Sequence, residues 1–234
     1  MKFIRSAAFN VAFYSTLILF TPTVLLLYSF LSTKNLQLYA SKYIIFVLFL
    51  LKILCGVSWK VEGIKNLPKS PCILVSNHQG QWESLFLQTL VMPSSSIIKK
   101  EILFIPFFGW AVYCMRPILL DRSNKLSSLK KVIRVGAQKI QSGFSIILFP
   151  EGTRIKPEEG IQPFSNSCGV LSVKNNIPII PICHNSGVFW RNKEFVKNSG
   201  EITVRIGRPI RGTDPKKLSN QAYEWISDNY KEIY

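Results

Sequence analysis

The chain has 234 residues, of which 47% are hydrophobic, and a formal net charge of +16 at pH 7. This length fits one catalytic domain with an accessory segment better than two full domains. An apolar and basic chain suggests work at an anionic membrane surface, whereas a nucleic-acid partner would explain the charge but not the apolar N-terminal part. Five cysteines without a Cys-x-x-Cys pair, and only two histidines, argue against a zinc site and favour a reducing compartment.

The first predicted element is an apolar segment at residues 7–31. At about 1.5 Å per residue it is long enough to cross a hydrocarbon core of about 30 Å. A cleaved signal peptide is the alternative, but the apolar run is long for one and no clean cleavage site follows. A second apolar run, residues 43–59, carries Lys52 and is interpreted as a tilted span, a re-entrant helix or a buried helix.

The polar segment between these runs, residues 32–41, is short. The two runs therefore predict a membrane-embedded helical hairpin over residues 1–58. Lys2 and Arg5 precede the first run and favour a cytoplasmic N-terminus, and a hairpin then returns the rest of the chain to the cytoplasm. We expect an integral membrane protein with its catalytic domain facing the cytoplasm.

From residue 59 onward, short runs rich in Ile, Val and Leu alternate with helical stretches. Several runs are almost continuously apolar, as in buried and largely parallel strands. The alternation predicts an α/β domain over residues 59–234, with a layered, mostly parallel sheet flanked by helices. The predicted strands are residues 60–63, 72–76, 97–99, 118–120, 145–149, 179–183 and 202–206. The predicted helices are residues 83–91, 126–141, 168–174 and 218–230.

The first segment with chemical potential is Ser-Asn-His-Gln-Gly-Gln-Trp-Glu at residues 76–83, between a predicted strand and a predicted helix. The end of a buried strand in an α/β sheet is a common place for a site, and a histidine with a carboxylate can act as a base and its orienting group. Two residues five apart on one helix point in different directions. We therefore expect His78 in the turn and Glu83 in the first helical turn, while a surface histidine on a loop is the alternative.

Two further segments follow predicted strands and carry cations. Lys100 precedes an aromatic segment punctuated by Pro and Gly, and Arg122 follows the strand at residues 118–120. These positions fit either solvated strand ends or cations for a phosphate group beside an apolar wall for an acyl chain.

The segment Phe-Pro-Glu-Gly-Thr-Arg at residues 149–154 also follows a predicted strand. Arg154 could bind phosphate in a forked geometry, and Glu151 could hold that arginine or a substrate hydroxyl. A plain turn with a surface ion pair is the alternative. The proline-flanked apolar run at residues 177–182 is interpreted as packing, and the histidine after it, His184, as structural.

Together and in this order, the four segments resemble those of the glycerolipid acyltransferases, specifically the 1-acylglycerol-3-phosphate acyltransferase family. His78 through Glu83 is similar to the family's block of a His, four residues and an Asp, with Glu in place of Asp. The likeness covers about residues 59–211. One feature is not matched, because residues 163–167 lack the Lys that relatives commonly carry there.

The resemblance implies a glycerol-3-phosphate acyltransferase-like fold and an enzyme that makes phosphatidic acid. His78 would deprotonate the free hydroxyl of 1-acylglycerol 3-phosphate, and Glu83 would orient and stabilise the imidazolium. Lys100, Arg122 and Arg154 would form the phosphate-binding set, and Gly152 would allow close approach of the backbone.

The same resemblance implies an acyl thioester as co-substrate, either acyl-CoA or acyl-carrier protein, with no cofactor and no metal. The expected partners are a phospholipid membrane and a lysophospholipid acceptor, without nucleic acid. Two alternatives stay open: another lysophospholipid or glycerol phosphate as acceptor, or a non-catalytic lipid-binding protein of the membrane surface. The presence of both His78 and Glu83 argues against the second.

Overall fold

The structure is a computed structural model that describes residues 1–120 and 125–234, with the side chains of residues 125–128 left out of the description. Two long helices come first, α1 (Lys2–Tyr28) and α2 (Thr33–Cys55). The strands are β1 (Val57–Glu62), β2 (Ile73–Ser76), β3 (Ser94–Lys99), β4 (Ile118–Leu120), β5 (Ser145–Leu148), β6 (Ile179–His184) and β7 (Gly200–Ile206). The remaining α-helices are α3 (Trp82–Phe86), α4 (Phe108–Cys114), α5 (Lys125–Gln141), α6 (Ser167–Asn175), α7 (Ser186–Phe189) and α8 (Pro215–Ile233).

The strands form one sheet in the order β1-β7-β6-β2-β5-β3-β4. The five strands from β6 to β4 are mutually parallel, whereas β7 is antiparallel to β6 and carries β1 as its parallel neighbour. Each of the seven predicted strands overlaps an observed strand. The predicted α/β class with a mostly parallel sheet flanked by helices is therefore confirmed.

Helices cover both faces of the sheet. On one face, Leu48 and Leu51 of α2 pack in a core cluster with Leu74 and Ile180 of the central strands. On the opposite face, α5, α6 and α8 pack on the alternate strand residues, which include Ile73 and Ile146. Because successive side chains of a strand point to opposite faces, a central strand covered on both sides must be apolar throughout. This accounts for the continuous apolar runs at β2, β5 and β6.

The hairpin differs from its sequence-based prediction at the connection between the helices. Most of the predicted linker, residues 32–41, is the first part of α2. This helix begins after Ser32, and the Ser32 hydroxyl accepts a hydrogen bond from Asn35 N at 3.3 Å. The polar residues that suggest a linker have partners instead. Gln37 is buried, and its amide donates to Ser94 O at 2.7 Å and accepts from Ser94 N at 2.8 Å. The helix ends at Gly56, which is left-handed with φ +70, and β1 follows at once.

Both hairpin helices contact the rest of the chain at each end. Near the start of α1, Asn10 Oδ1 accepts a hydrogen bond from the buried Lys197 Nζ at 2.8 Å. Near the other end of α1, Thr21 Oγ1 donates to Phe107 O at 3.2 Å. The inner side of the hairpin is thus a layer of the α/β domain, while its outer side exposes large apolar residues along both helices. By length and hydropathy α1 and α2 could also span a membrane, which is weak evidence by itself.

Candidate active site

The site forms in the turn between β2 and α3, at the carboxyl end of a central strand. His78 lies in this turn and Glu83 in the first turn of α3, as the spacing predicts. Gly80 is needed because the chain passes close to a neighbouring loop: a Cβ at this position would lie 2.5 Å from Trp190 O. The tight turn brings the imidazole of His78 back over the start of the helix.

His78 and Glu83 form a hydrogen-bonded pair. His78 Nδ1 lies 2.9 Å from Glu83 Oε1, which also accepts from the backbone N–H groups of Gln79 at 2.9 Å and Gly80 at 2.7 Å. The other carboxylate oxygen, Oε2, accepts from Ser186 Oγ at 2.8 Å. Since the carboxylate can only accept, Nδ1 carries the proton, and Nε2 of a neutral ring keeps a lone pair.

Glu83 is fully buried, whereas the His78 side chain is 15% exposed. Burial alone would raise the pKa of Glu83, but the hydrogen bonds from His78 and from the Gly80 N–H outweigh it and hold that pKa below its ordinary value. Glu83 is therefore ionised at neutral pH. An anchored anion behind a partly accessible imidazole is the arrangement of a general base with its orienting carboxylate.

The loop after β5 wraps around His78. The ring of Phe149 stacks on the imidazole with 4.1 Å between ring centres. Glu151 Oε1 accepts from His78 N at 2.9 Å, and Oε2 accepts from Gln162 N at 3.4 Å. The backbone N–H of Ile155 donates to His78 O at 2.8 Å. The first and third sequence segments therefore build one site.

Glu151 contacts backbone groups, whereas the sequence suggests Arg154 or a substrate hydroxyl as its partner. Its oxygens hold backbone N–H groups, and among the described residues no hydrogen bond or ion pair joins it to Arg154. Burial raises the pKa of Glu151 to about 7, against the opposing effect of the two backbone donors. The carboxyl group thus sets the shape of the loop that carries His78.

Arg154 is adjacent to Ile155 in this loop and so lies beside His78. Its Nη1 donates to Asn192 Oδ1 at 3.3 Å, while its buried Nε has no hydrogen-bond partner in the described part of the chain. Burial lowers the pKa of the guanidinium, and the charge of Glu83 opposes this shift. A half-buried guanidinium with an unused donor is suited to binding an anionic group.

Three further residues are predicted to contribute to phosphate binding: Lys100, Gly152 and Arg122. Lys100 is exposed and begins a short 3-10 helix, Lys100–Phe104, directly after β3. Gly152 has φ +71 and open space where a side chain would be, so the tight turn requires glycine and leaves room in front of it. Arg122 lies outside the described residues.

A buried polar network behind Glu83 is not expected from the sequence. Ser186, the first residue of α7, links the Glu83 carboxylate to His184, whose Nδ1 accepts from Ser186 N at 3.3 Å. His184 Nε2 donates to Asn77 O at 2.9 Å, and the Asn77 amide donates to His184 O at 2.9 Å. Burial lowers the pKa of His184, so this ring is neutral and fully engaged. The signal in the sequence is the polar run His-Asn-Ser at the end of β6, the strand next to β2.

Within the described ranges, no group of three or more His, Cys, Asp or Glu side chains could hold a metal ion. All five cysteines are free and buried. The chemistry that this site can supply is proton transfer by an imidazole beside a cationic binding position.

Comparison with known proteins gives a consistent set of relatives. A family model described as Acyltransferase matches residues 58–185. A 1-acyl-sn-glycerol-3-phosphate acyltransferase of Pseudomonas aeruginosa is 36% identical over 193 residues, which cover 80% of this chain and 75% of that protein. A yeast protein of the same description, from Saccharomyces cerevisiae, is 30% identical over 78% of this chain and 63% of its own length. A chloroplastic relative from Brassica napus is 31% identical over 72% of this chain, and half of its own length is matched.

The fold has a counterpart among solved structures. The crystal structure of the 1-acyl-sn-glycerophosphate (LPA) acyltransferase PlsC from Thermotoga maritima superposes with a TM-score of 0.81. The match covers 99% of this chain and 97% of that one at 22% identity. Since it includes nearly the whole chain, the two N-terminal helices are part of the shared architecture.

Proposed function

Because the chain belongs to the acyltransferase family, we propose that it transfers a fatty acyl group from an acyl thioester to the free hydroxyl of 1-acylglycerol 3-phosphate. The product is phosphatidic acid, an intermediate of phospholipid biosynthesis. The observation that supports this assignment best is the His78–Glu83 pair, whose contact of 2.9 Å leaves the outer imidazole nitrogen available for a substrate hydroxyl. The acyl donor is acyl-CoA or acyl-carrier protein, and no cofactor takes part.

The reaction follows from the tautomer that Glu83 imposes. The Nε2 of His78 takes the proton of the acceptor hydroxyl, and the oxygen attacks the thioester carbonyl carbon. The C–S bond then breaks, and the thiolate leaves with the proton that His78 has held. Ionised Glu83 stabilises the imidazolium in between, and such positioned base catalysis contributes roughly 10²–10⁴-fold.

The acceptor phosphate is bound by cations at the carboxyl ends of the strands. Arg154 supplies a guanidinium with an unpartnered Nε–H from the loop whose next residue, Ile155, contacts the His78 backbone. Lys100 and Arg122 follow β3 and β4 in sequence. Gly152 leaves the space in front of the loop open. Phosphate on one side and hydroxyl on the other would orient the acceptor for attack.

The apolar hairpin associates the protein with a membrane, and we infer that it does so without carrying the domain through it. A helix pair attached to the α/β domain at both ends cannot cross a bilayer while that domain stays in water. We therefore propose that the outer face of α1 and α2 lies in one leaflet, on the cytoplasmic side, with exposed residues such as Leu19 and Phe49 in lipid. In this position the acceptor and the product remain in the membrane throughout.

The test is thioester cleavage by membranes that contain matched amounts of wild type and His78→Ala. We expect acyl transfer to be lost in the variant by about 10²–10⁴-fold while the protein stays folded and membrane-bound. The wild type is offered 1-acylglycerol 3-phosphate, glycerol 3-phosphate and lysophosphatidylcholine as acceptors, and we expect the first to be preferred. Near wild-type turnover of His78→Ala would show that the base is wrongly assigned, and preference for another acceptor would change the substrate but not the mechanism.

A further inference from the structure

Two cations, Arg116 and Lys139, lie together at the edge of the sheet opposite the active site. Arg116 precedes β4, and Lys139 lies in the last turn of α5, before β5. Both strands belong to the parallel set that includes β2. Because His78 follows the carboxyl end of β2, these cations at the amino ends are separate from the catalytic site.

The two cations are held close to each other. Lys139 Nζ donates to Arg116 O at 3.1 Å, and the Arg116 guanidinium lies 5.8 Å from the centre of the Tyr28 ring. Burial and the charge of Arg116 both lower the pKa of Lys139. In the described part of the chain neither cation forms a salt bridge. Like charges at this proximity are stabilised when an anion binds between them.

A cavity of about 380 Å³ opens at this position, lined by the two cations together with Tyr28, Tyr113, Pro117 and Leu119. The rings of Tyr28 and Tyr113 lie 6.4 Å apart. Two tyrosine hydroxyl groups and two cations can donate hydrogen bonds to phosphate oxygens, and the Leu and Pro side chains form an apolar wall.

The cavity lies where the proposed membrane-facing surface ends. Tyr28 is the last residue of α1, and Phe30 in the following turn is 77% exposed. Tyr113 on α4 is 55% exposed. Tyrosine side chains concentrate at membrane–water interfaces, and nearby Lys and Arg side chains interact with the anionic headgroups there.

We propose that Arg116 and Lys139, with Tyr28 and Tyr113, form a binding site for the phosphate of an anionic phospholipid, which we call the rim site. The proposal rests on the membrane association proposed above. A lipid phosphate is favoured over a free phosphate because the apolar wall and the hairpin turn adjoin the cations. Binding at the rim site would anchor one end of the hairpin surface at headgroup depth without occupying the catalytic site.

The test uses the full chain in nonionic detergent, with native mass spectrometry to count bound lipids. Phosphatidylglycerol is compared with phosphatidylcholine of the same acyl chains, and inorganic phosphate is added in a separate arm. Each cation near a lipid surface contributes roughly fivefold, so Arg116→Gln/Lys139→Gln should lose about 30-fold of the preference for phosphatidylglycerol. The charge-preserving Arg116→Lys/Lys139→Arg should retain most of it. As a matched control, Arg211→Gln/Lys217→Gln removes the same charge from exposed positions elsewhere and should retain the preference.

Acyl transfer to a short-chain soluble acceptor is measured on every variant and is expected to stay at the wild-type level. This readout separates the two proposals, because it reports the catalytic site and the integrity of the fold independently of the rim site. An unchanged lipid preference in the neutralised variant would overturn the rim site. Equal losses in the control variant, or full displacement of phosphatidylglycerol by inorganic phosphate, would also overturn it.

Discussion

Ser186→Ala tests whether the polar network behind Glu83 positions the catalytic pair. Ser186 Oγ donates one of the four hydrogen bonds that Glu83 accepts, at 2.8 Å in a fully buried setting. A hydrogen bond to a charged group contributes about 1.5–3 kcal/mol, which corresponds to an upper bound of roughly 10–150-fold in rate. Because three donors remain, we expect kcat to fall by about tenfold with little change in KM.

The pH profile distinguishes positioning from a general loss of stability. Ser186 is one of the donors that offset the charge of the ionised carboxylate, so its removal leaves more uncompensated negative charge beside the imidazole and favours the protonated ring relative to wild type. The acid side of the kcat/KM profile should therefore move to higher pH. The assay is thioester cleavage with saturating donor across pH 5 to 9, an interval of roughly the width over which histidine and its neighbours titrate.

The control is Ser219→Ala, which also removes a buried and hydrogen-bonded serine hydroxyl, but in α8, where it contacts Gly169 N at 3.2 Å and Pro215 O at 2.9 Å. This variant should lose stability without a shift in the pH profile. If Ser186→Ala keeps the wild-type rate and profile, or if both variants change in the same way, Ser186 has no part in orienting the carboxylate.

Four further predictions concern the site and the hairpin. Glu83→Gln should lower turnover less than His78→Ala, because the amide still accepts a hydrogen bond but cannot offset the imidazolium charge; turnover in matched membranes checks this. Arg154→Ala should weaken binding of the phosphate-bearing acceptor by roughly 2–3 kcal/mol, which is measured as a higher acceptor KM with an unchanged donor KM. The control Arg208→Gln, at an exposed position, should change neither KM. Burial raises the pKa of Glu151 to about 7, so the stability that its neutral form contributes is present below the ordinary glutamate value of 4.5 and is lost as pH rises through 7. Glu151→Gln should therefore flatten the fall in thermal stability between these two pH values, and an unchanged slope would contradict the shift. Finally, the protein should stay with membranes in about 1 M salt, where the Debye length is about 3 Å, and full release would show that attachment is only electrostatic.

Much of the architecture can be predicted because apolar patterning is local information. All seven strands are predictable, since runs such as residues 145–148 must be apolar when helices cover both faces. The position of His78 in a turn is also predictable from local information. Two side chains five residues apart on one helix point in different directions, so His78 and Glu83 can meet only if His78 precedes the helix. The prediction of a linker at residues 32–41 is wrong. A run of polar residues normally indicates a solvent-exposed segment, whereas Gln37 is buried and donates to the backbone of Ser94, which is distant in the chain.

The sequence by itself determined the class of the fold and the family, and it predicted that His78 and Glu83 lie together, because these depend on short-range pattern and on residue type at fixed spacing. Only the tertiary structure decided which segments meet. It placed Phe149 and Glu151 on His78, brought Ser186 to Glu83 across 103 positions of the chain, and packed the hairpin on the sheet instead of leaving it apart. The physical reason is that parallel strands bring their carboxyl ends to one edge regardless of separation along the chain, and no local pattern specifies which strands are neighbours.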